Sequence, residues 1–490
     1  MIKWKKQHSA AIFISFLNNL KEMIISIIAV FIFGQSSQAG GSLFYTIFFA
    51  LILVFSLGSG IIRWATFEYQ LLDNELQIKQ GLIFKKHRYI RKERIQSIDI
   101  NAKLIQRLFQ LVEIRIETAG GGTEPEFRII ALKRREAELI KEELLVRKSN
   151  LNNGDQDHSE VINEESLLEE NKKQFYTWNL SFKRLLISAI TSSGLGLAIT
   201  FVAAVISQLP QLLPNTIYER VLGLFIHSSI LLISFFVVLI LFIGWLITLI
   251  SSLLKYGQFH IKKDKDDIHI SRGILEKRQL TLSAKRITAV RVVQNLLRQP
   301  LGYAAVYVES AGGGRKEEDL STILIPICKK SEVNSILNNL LPQFSIKENE
   351  YKSLPKESVR RYMIKASIPF IFLAILMTYF IPYGWISFIL PLGAAGIGFW
   401  QYIDAGIGNN DEMLLIKSRM ISLTEVIVPR KRIQAMTTSQ TILQKVDHLY
   451  TVQVSIISSI VGKTFSLRHI SKNQIENLFL WYSYECRKHR

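Results

Sequence analysis

A segment covering residues 64–122 occurs three times along the chain, in register and without a gap. Adding 192 to a residue number leads from the first copy to the second, so that Trp64 corresponds to Tyr256. Adding a further 146 leads to the third copy, in which Tyr256 corresponds to Tyr402. A long ungapped self-match of this kind indicates one structural unit that is used three times.

The apolar pattern inside each copy predicts β structure that is closed by a helix. Stretches such as VEIRIET, VYVES and VQVSI alternate strictly, as half-buried strands do, and Gly81 and Gly273 suit hairpin turns. Each copy ends in a stretch that predicts a helix, at residues 136–146, 331–341 and 473–482. A small antiparallel sheet needs such a cover for its open face, so we expect three compact sheet-and-helix domains.

Pairs of long apolar runs precede these domains. Each run is near the ~20 residues that a helix needs to span a bilayer, so we predict six transmembrane helices in three hairpins. The predicted spans are Ala10–Phe33, Leu43–Ile62, Leu185–Ile206, Leu222–Leu254, Ile364–Ile381 and Ile386–Phe399. Asn18, Asn19, Lys21 and Glu22 interrupt the first run. Either its first part lies in the membrane interface, or these polar groups are buried among helices.

Charge predicts how the chain is oriented in the membrane. The net charge is +19, and the turns within the predicted hairpins hold only Glu219 and Arg220 as charged residues. The positive-inside rule therefore predicts that both termini and all three domains are cytoplasmic, in a multi-pass protein of the cell membrane. Trp64, Tyr256 and Tyr402 lie at the inner ends of the even-numbered spans, where amphipathic rings favour the headgroup level, so we predict them to be interface anchors.

The excess of positive charge also indicates an anionic partner, either membrane lipid or nucleic acid, and we expect lipid rather than nucleic acid. We predict that basic residues after the turns contact lipid headgroups or a partner protein. These are Lys85, Lys86, Arg88, Arg94, Lys277, Arg278, Arg286 and Arg432. The alternative is a solvated face or local salt bridges. The Arg that recurs in all three copies precedes an apolar Ile each time, which favours a structural role for it.

Linkers separate the predicted domains. The acidic sequence between residues 151 and 173 lacks aromatic residues and predicts a flexible tether. The predicted segments are a hairpin at 1–66, a domain at 67–147, a linker at 148–176, a hairpin at 177–256, a domain at 257–343, a linker at 344–358, a hairpin at 359–403 and a domain at 404–485.

The residues show no pattern that is typical of catalysis. The nine His residues are scattered, no H-E-x-x-H motif occurs, and Cys328 and Cys486 are too few for a disulfide framework. We therefore expect no enzyme, no metal and no cofactor. A transporter would need charged residues along an ion path inside the spans, and apart from Lys21 and Glu22 in the first run the predicted spans lack such a path. A membrane-tethered binding or scaffold protein fits best.

The recurring residues resemble a known family. A strand ending in Gly-Ile or Gly-Leu, a basic residue followed by Ile, a downstream Gln-x-x-Leu, and an alternating strand with Gly-Gly are similar to the membrane-flanked bacterial pleckstrin-homology (PH) domain, also called bPH2 or DUF304. Three such domains, each after a hairpin, resemble the YdbT-like membrane proteins of Gram-positive bacteria. The third copy departs most, since Arg419 replaces the turn glycine and SSIVG replaces the Gly triplet.

The resemblance implies a fold and a function that the residues alone do not. It implies that each domain is a seven-stranded PH-like β-barrel capped by one C-terminal helix. It also implies protection or immunity against membrane-active antimicrobial peptides, including leaderless bacteriocins, with a smaller one-domain companion and the peptide itself as possible partners. The alternative is a membrane scaffold or lipid-binding adaptor without a role in peptide resistance, and the second alternative is a transporter.

Overall fold

The computed structural model describes residues 4–34, 41–72, 75–82, 84–118, 127–150, 176–191, 230–265, 267–310, 322–345, 351–458 and 462–483. The chain forms two compact units. The first comprises Met1–Gly121, Pro125–Asp264 and His269–Thr281, and the second comprises Gly122–Glu124, Lys265–Ile268 and Leu282–Arg490. Each unit has an apolar core of its own.

The first copy consists of two antiparallel sheets and a closing helix. Its first sheet contains, in order, β1 (Lys5–Lys6), β2 (Glu68–Leu71), β3 (Glu75–Gln80) and β4 (Lys86–Arg91). Two helices lie between β1 and β2 along the chain, α1 (Ala11–Gly34) and α2 (Gly41–Thr66). The second sheet and its helices are β5 (Ile95–Ala102), α3 (Leu104–Leu108), β6 (Leu111–Thr118), β7 (Phe127–Lys133) and α4 (Arg134–Asn150).

The second and third copies repeat this order of strands and long helices, but among the described residues the short helix α3 has a counterpart in the third copy only. The second contains β8 (Tyr176–Asn179), α5 (Phe182–Ile190), α6 (Ile230–Tyr256), β9 (His260–Asp264), β10 (Asp267–Arg272), β11 (Lys277–Ser283), β12 (Ile287–Gln294), β13 (Tyr303–Ser310), β14 (Thr322–Lys329) and α7 (Val333–Leu340). The third contains β15 (Lys352–Ser353), α8 (Ser358–Phe380), α9 (Ile389–Asp404), β16 (Gly406–Asn409), β17 (Met413–Arg419), β18 (Leu423–Pro429), β19 (Ile433–Ser439), α10 (Ile442–Val446), β20 (Leu449–Ile456), β21 (Lys463–Ser471) and α11 (Lys472–Tyr482).

Each helical pair is inserted between the first two strands of its domain. Lys5 before the first pair is opposite Tyr69 after it, and Lys352 before the third pair is opposite Ile407 after it. These first strands are only two to four residues long. They are too short to show alternation, so their residues fall in segments that are predicted as hairpins and linkers.

The second sheet of one copy is hydrogen-bonded to the first sheet of the next. β5 pairs antiparallel with β11, with Ala102 opposite Lys277, and β12 pairs antiparallel with β18, with Gln294 opposite Leu423. The two registers are the same, because Ala102 and Gln294 are equivalent positions of the repeat, as are Lys277 and Leu423. One seven-stranded sheet results from each junction.

The two sheets of the first copy share one apolar core. Leu76 of β3 and Ile114 of β6 are completely buried in the same cluster, which Ile140 and Leu144 of α4 complete. A helix therefore covers the sheets, as the amphipathic pattern predicts. The closed barrel that the resemblance implies is not shown, because β4 and β5 belong to different sheets and the edge of β5 pairs with β11 instead.

The expectation of six membrane spans is met only in part. Among the described residues, three helical segments are long and apolar enough to cross a membrane, namely Phe49–Thr66, Ser358–Phe380 and Gly384–Asp404. A shorter apolar segment, Leu241–Tyr256, belongs to α6. The spans predicted at 185–206 and 222–254 fall partly on residues outside the description, and in the span predicted at 10–33 the side chains of residues 22 and 24–33 fall outside it.

One of the polar residues in the first run has a partner inside the helical pair. Asn19 of α1 donates a hydrogen bond from Nδ2 to Ser59 Oγ of α2 at 2.9 Å. Ser56 donates from Oγ to the carbonyl oxygen of Phe16 at 3.4 Å. For Asn19 these contacts favour burial between helices over a place in the membrane interface.

Candidate functional site

The hairpin between β10 and β11 is fastened to the end of α6. Gly273 donates its N–H to the carbonyl of Gly257 at 2.8 Å, and Ile274 donates to Leu254 at 2.9 Å. Gly273 has a φ of +100°, and a Cβ atom there would collide with the carbonyl oxygen of Glu276. This tight turn therefore requires glycine, and it places the tip of the hairpin where the helix meets the domain.

In the third copy, the equivalent hairpin between β17 and β18 is attached to the end of α9 by a side chain instead of by backbone hydrogen bonds. Arg419, which replaces the turn glycine, is buried, and its Nε lies 2.5 Å from Oδ2 of Asp404, the last residue of α9. Its guanidinium group lies 4.0 Å from the centre of the Trp400 ring. Gln401 donates from Nε2 to the carbonyl oxygen of Met420 at 2.8 Å. The arginine that replaces the turn glycine thus anchors the hairpin to α9, a role that the sequence alone does not predict.

A second loop follows β5, β12 and β19 in the three copies, and its apolar side chains are exposed. The exposed residues are Leu104, Leu108, Phe109, Leu296, Leu297, Leu301, Ile442, Leu443 and Val446. The hairpin tips add Leu82, Phe84, Ile274, Leu275, Met420 and Ile421. We call the set of these residues in each copy the apolar rim of that copy. Exposed apolar side chains that recur at equivalent positions indicate an interaction surface on each copy.

In the first copy the loop lies beside the start of α1. The rings of Phe109 and Phe13 meet edge to face, with centroids 6.2 Å apart. Ile105 of α3 packs in a small cluster with Ala11 and Ile14 of α1. This part of the apolar rim therefore lies where the helical pair begins.

An ion pair fastens the same loop in the third copy. Asp447, directly after α10, accepts a hydrogen bond from Arg361 Nε at 2.5 Å and another from Arg360 Nη2 at 3.0 Å. Both arginines lie in the first turn of α8. The hydrogen bond from Arg361 is the main cause that holds the pKa of the Asp447 carboxyl below its usual range. In both copies, the apolar rim accordingly lies beside the first residues of the helical pair.

The predicted headgroup contacts fall in two environments. Lys85, Lys86 and Arg88 are exposed at or near β4. Lys277 and Arg278, at equivalent positions in β11, are half-buried, because β5 pairs with that strand. In the first unit these two groups of basic residues belong to different sheets, so the structure does not join them into one patch.

The recurring arginine ends a short 3-10 turn before β5, β12 and β19. The side chain of Arg94 lies outside the described residues. Arg286 is half-buried, and its burial lowers the pKa of the guanidinium while Asp267 opposes this shift. Arg432 donates a hydrogen bond to the backbone carbonyl of Lys285. For Arg432 this contact agrees with the structural role that its position before Ile suggests.

The three aromatic residues predicted as interface anchors lie at helix ends. Trp64 donates from Nε1 to the carbonyl of Gln7 at 3.0 Å, and the Tyr402 hydroxyl donates to the carbonyl of Leu354 at 3.4 Å. Tyr256 is the last residue of α6. Gln7 and Leu354 both precede the first helix of their pair, whereas Trp64 and Tyr402 lie near the end of the second helix. Each of these two hydrogen bonds therefore joins the segment that enters a helical pair to the helix that leaves it.

Comparison with known proteins agrees with this arrangement. The family profile described as "Bacterial PH domain" matches residues 23–148, 199–343 and 366–485. The chain is 33% identical over 486 residues to the "UPF0699 transmembrane protein YdbT" of Bacillus subtilis (strain 168), with 98% of each chain covered. The chain belongs to the YdbT-like family of bacterial PH domain proteins. The first and third matched ranges begin within α1 and α8, so each family match includes part of a helical pair.

Among the described residues, no group of three or more His, Cys, Asp or Glu side chains could hold a metal ion. A cleft of about 300 Å³ beside the β17–β18 hairpin is lined by Ser, Thr and apolar residues, with Arg291 as the one titratable residue in its lining. General acid–base catalysis needs a positioned proton donor or acceptor, and the lining of this cleft contains no His, Asp, Glu, Cys or Lys side chain.

Proposed function

We propose that this chain is a non-enzymatic membrane protein that holds three PH-type domains against the cytoplasmic leaflet. The observation that carries this proposal is the apolar rim of each copy, which lies beside the helix ends. Apolar side chains at this level gain free energy by entering the lipid interface, and exposed Lys and Arg add about 1 kcal/mol each near an anionic surface.

The proposed topology has six spans in three hairpins, with both termini and all domains in the cytoplasm. The segregation of basic residues supports it. A reporter fused after Arg490 is expected to show cytoplasmic activity. A cysteine in place of Lys265 is expected to resist a membrane-impermeant reagent in intact cells and to react once the cells are opened. Labelling of intact cells would contradict this orientation.

The role proposed for this assembly is protection of the membrane against membrane-active peptides, as the family resemblance implies. Such peptides act by inserting into the bilayer. Three domains that press apolar side chains into the inner interface, together with the hairpin helices, occupy the layer where insertion or pore assembly takes place. A smaller one-domain companion is a further expectation from the resemblance.

The decisive experiment compares killing by a panel of cationic leaderless peptides. A strain without the gene is expected to be several-fold more sensitive than one that carries it. A variant with Ile442, Leu443 and Val446 all changed to Ser is expected to restore protection poorly, because the loop loses its affinity for the interface. A matched control changes the exposed Lys472 and Glu476 of α11 to Ser and is expected to restore protection fully.

The alternative is a membrane scaffold or lipid-binding adaptor. The exposed basic residues of β4 favour it, since they suit a lipid headgroup or a protein partner without any peptide. Unaltered sensitivity across the peptide panel, with the protein present in the membrane, would exclude the protective role and leave this alternative.

A further inference from the structure

The same kind of strand pairing joins the first copy to the second and the second copy to the third. The two strands that a further pairing of this kind would need are also present in the chain. In each junction a strand that opens the second sheet of one copy pairs with the last strand of the first sheet of the next copy. β5 and β12 provide the first half, and their equivalent in the third copy is β19. β11 and β18 provide the second half, and their equivalent in the first copy is β4.

Both remaining strands end their sheets in the described part of the chain. β4 is the last strand of the sheet β1-β2-β3-β4, and β19 is the first strand of the sheet β19-β20-β21. Five of the six side chains of β4 are exposed, and β19 is also largely exposed from Gln434 onward. An edge strand presents a row of backbone donors and acceptors that can pair with another chain.

The register of the existing junctions predicts how the two edges fit. Lys277 opposite Ala102 and Leu423 opposite Gln294 are the same pair of repeat positions. Applying the same repeat offsets places Lys86 opposite Ser439 and Arg88 opposite Thr437. The pairing is therefore defined residue by residue rather than by a general preference of edges for each other.

The charges of the two edges are compatible with this pairing. β4 carries Lys86, Arg88 and Arg91, whereas β19 has the sequence IQAMTTS and carries no charge. Like charges directly opposite each other would be destabilising, and none occur here. Basic residues on an edge often prevent pairing, but Lys277 and Arg278 of β11 are basic as well and pair with β5.

We propose that β4 of one copy of this protein pairs with β19 of a second copy, head to tail, in the register Lys86–Ser439 and Arg88–Thr437. Each chain carries one edge of each kind, so the β19 edge of a second copy can supply the strand that the β4 edge of the first copy lacks. An interface that joins two different surfaces of the same chain is heterologous. This inference concerns self-association and goes beyond the proposed function, which does not depend on it.

The test uses two differently tagged full-length copies in one cell, both with Cys328→Ala and Cys486→Ser. One copy carries Arg88→Cys and the other Thr437→Cys. Opposite Cα atoms in an antiparallel pair are about 4.5–5.5 Å apart, which lies within the range that a disulfide bridges. Mild oxidation of native membranes is expected to give a disulfide-linked dimer that carries both tags.

Two controls make either outcome decisive. Lys277→Cys with Ala102→Cys in one chain tests whether oxidation captures a junction that the structure contains. Lys86→Cys in one copy with Thr437→Cys in the other is two residues out of register and is expected to crosslink several-fold less. If the internal control crosslinks and the doubly tagged dimer does not form, the proposal is overturned. Equal yields from both registers would overturn it too, as would a crosslink confined to one chain in the Arg88→Cys, Thr437→Cys double variant.

Discussion

Replacing Gly398 by Val is expected to destabilise the pair formed by α8 and α9 by about 3 kcal/mol, the upper end of the cost of overpacking. A Cβ atom at Gly398 would lie 2.6 Å from the carbonyl oxygen of Tyr362 and 2.8 Å from the Cα of Met363. Both are backbone atoms of α8, which cannot turn aside as a side chain can. Small residues allow helices in a membrane to approach closely, and this position has no space for a larger one.

Gly396 provides the matched control, since it lies two residues away in the same helix. A Cβ atom there meets nothing within 4 Å, so Gly396→Val is expected to leave stability nearly unchanged. Unfolding of the purified protein in detergent, followed by tryptophan fluorescence, would measure both variants. Equal midpoints for the two variants would show that the close approach at Gly398 does not hold the helices together.

Replacing Arg419 by Gln is expected to cost about 3 kcal/mol, because it removes the nearest charged partner of a largely buried carboxylate and leaves only the Lys417 ammonium, 3.9 Å from Asp404 Oδ1. The side chains of Arg419 and Asp404 are 3% and 14% exposed, so water replaces the lost contact poorly. The tip of the β17–β18 hairpin is also expected to detach from α9, because Arg419 fastens it there. Limited proteolysis at Met420 and Ile421 would report that release alongside the unfolding midpoint.

The exposed pair Lys472–Glu476 is the control for this prediction. Its side chains are 64% and 58% exposed, so Lys472→Gln is expected to cost less than about 0.5 kcal/mol. Adding Asp404→Asn to Arg419→Gln is expected to recover part of the lost unfolding free energy, because it removes the carboxylate charge that Arg419 no longer neutralises. A cost for Arg419→Gln no larger than that of Lys472→Gln would contradict an anchoring role.

Periodicity predicts those elements whose packing is local. Strict alternation is enough to identify β6, β13 and β20, because one face of each strand is buried within its own copy. The three closing helices follow from their apolar spacing for the same reason. The turn at Gly273 follows from residue type, since its positive φ requires glycine.

Features that depend on distant partners leave little trace in the sequence. Alternation shows that β5 has a buried face, but it does not show that the edge of β5 pairs with β11 of the next copy. The contact between Arg419 and Asp404 is marked only by the loss of a turn glycine, which could equally have indicated a degenerate site. The burial of Lys277 and the exposure of Lys85 likewise differ because of pairing between copies, and both positions look the same in the repeat.

The insertion of each helical pair between two neighbouring strands sets an order of folding events. Lys5 is synthesised before α1 and α2, yet its partner Tyr69 follows both helices. The strand cannot complete its sheet until the helices have folded back and returned the chain to the cytoplasmic side of the proposed topology. Closing such a distant contact is slow unless the intervening segment is already ordered. In the proposed topology, the four-stranded sheet of the first copy is therefore completed only when α1 and α2 return the chain to the side on which Lys5 lies.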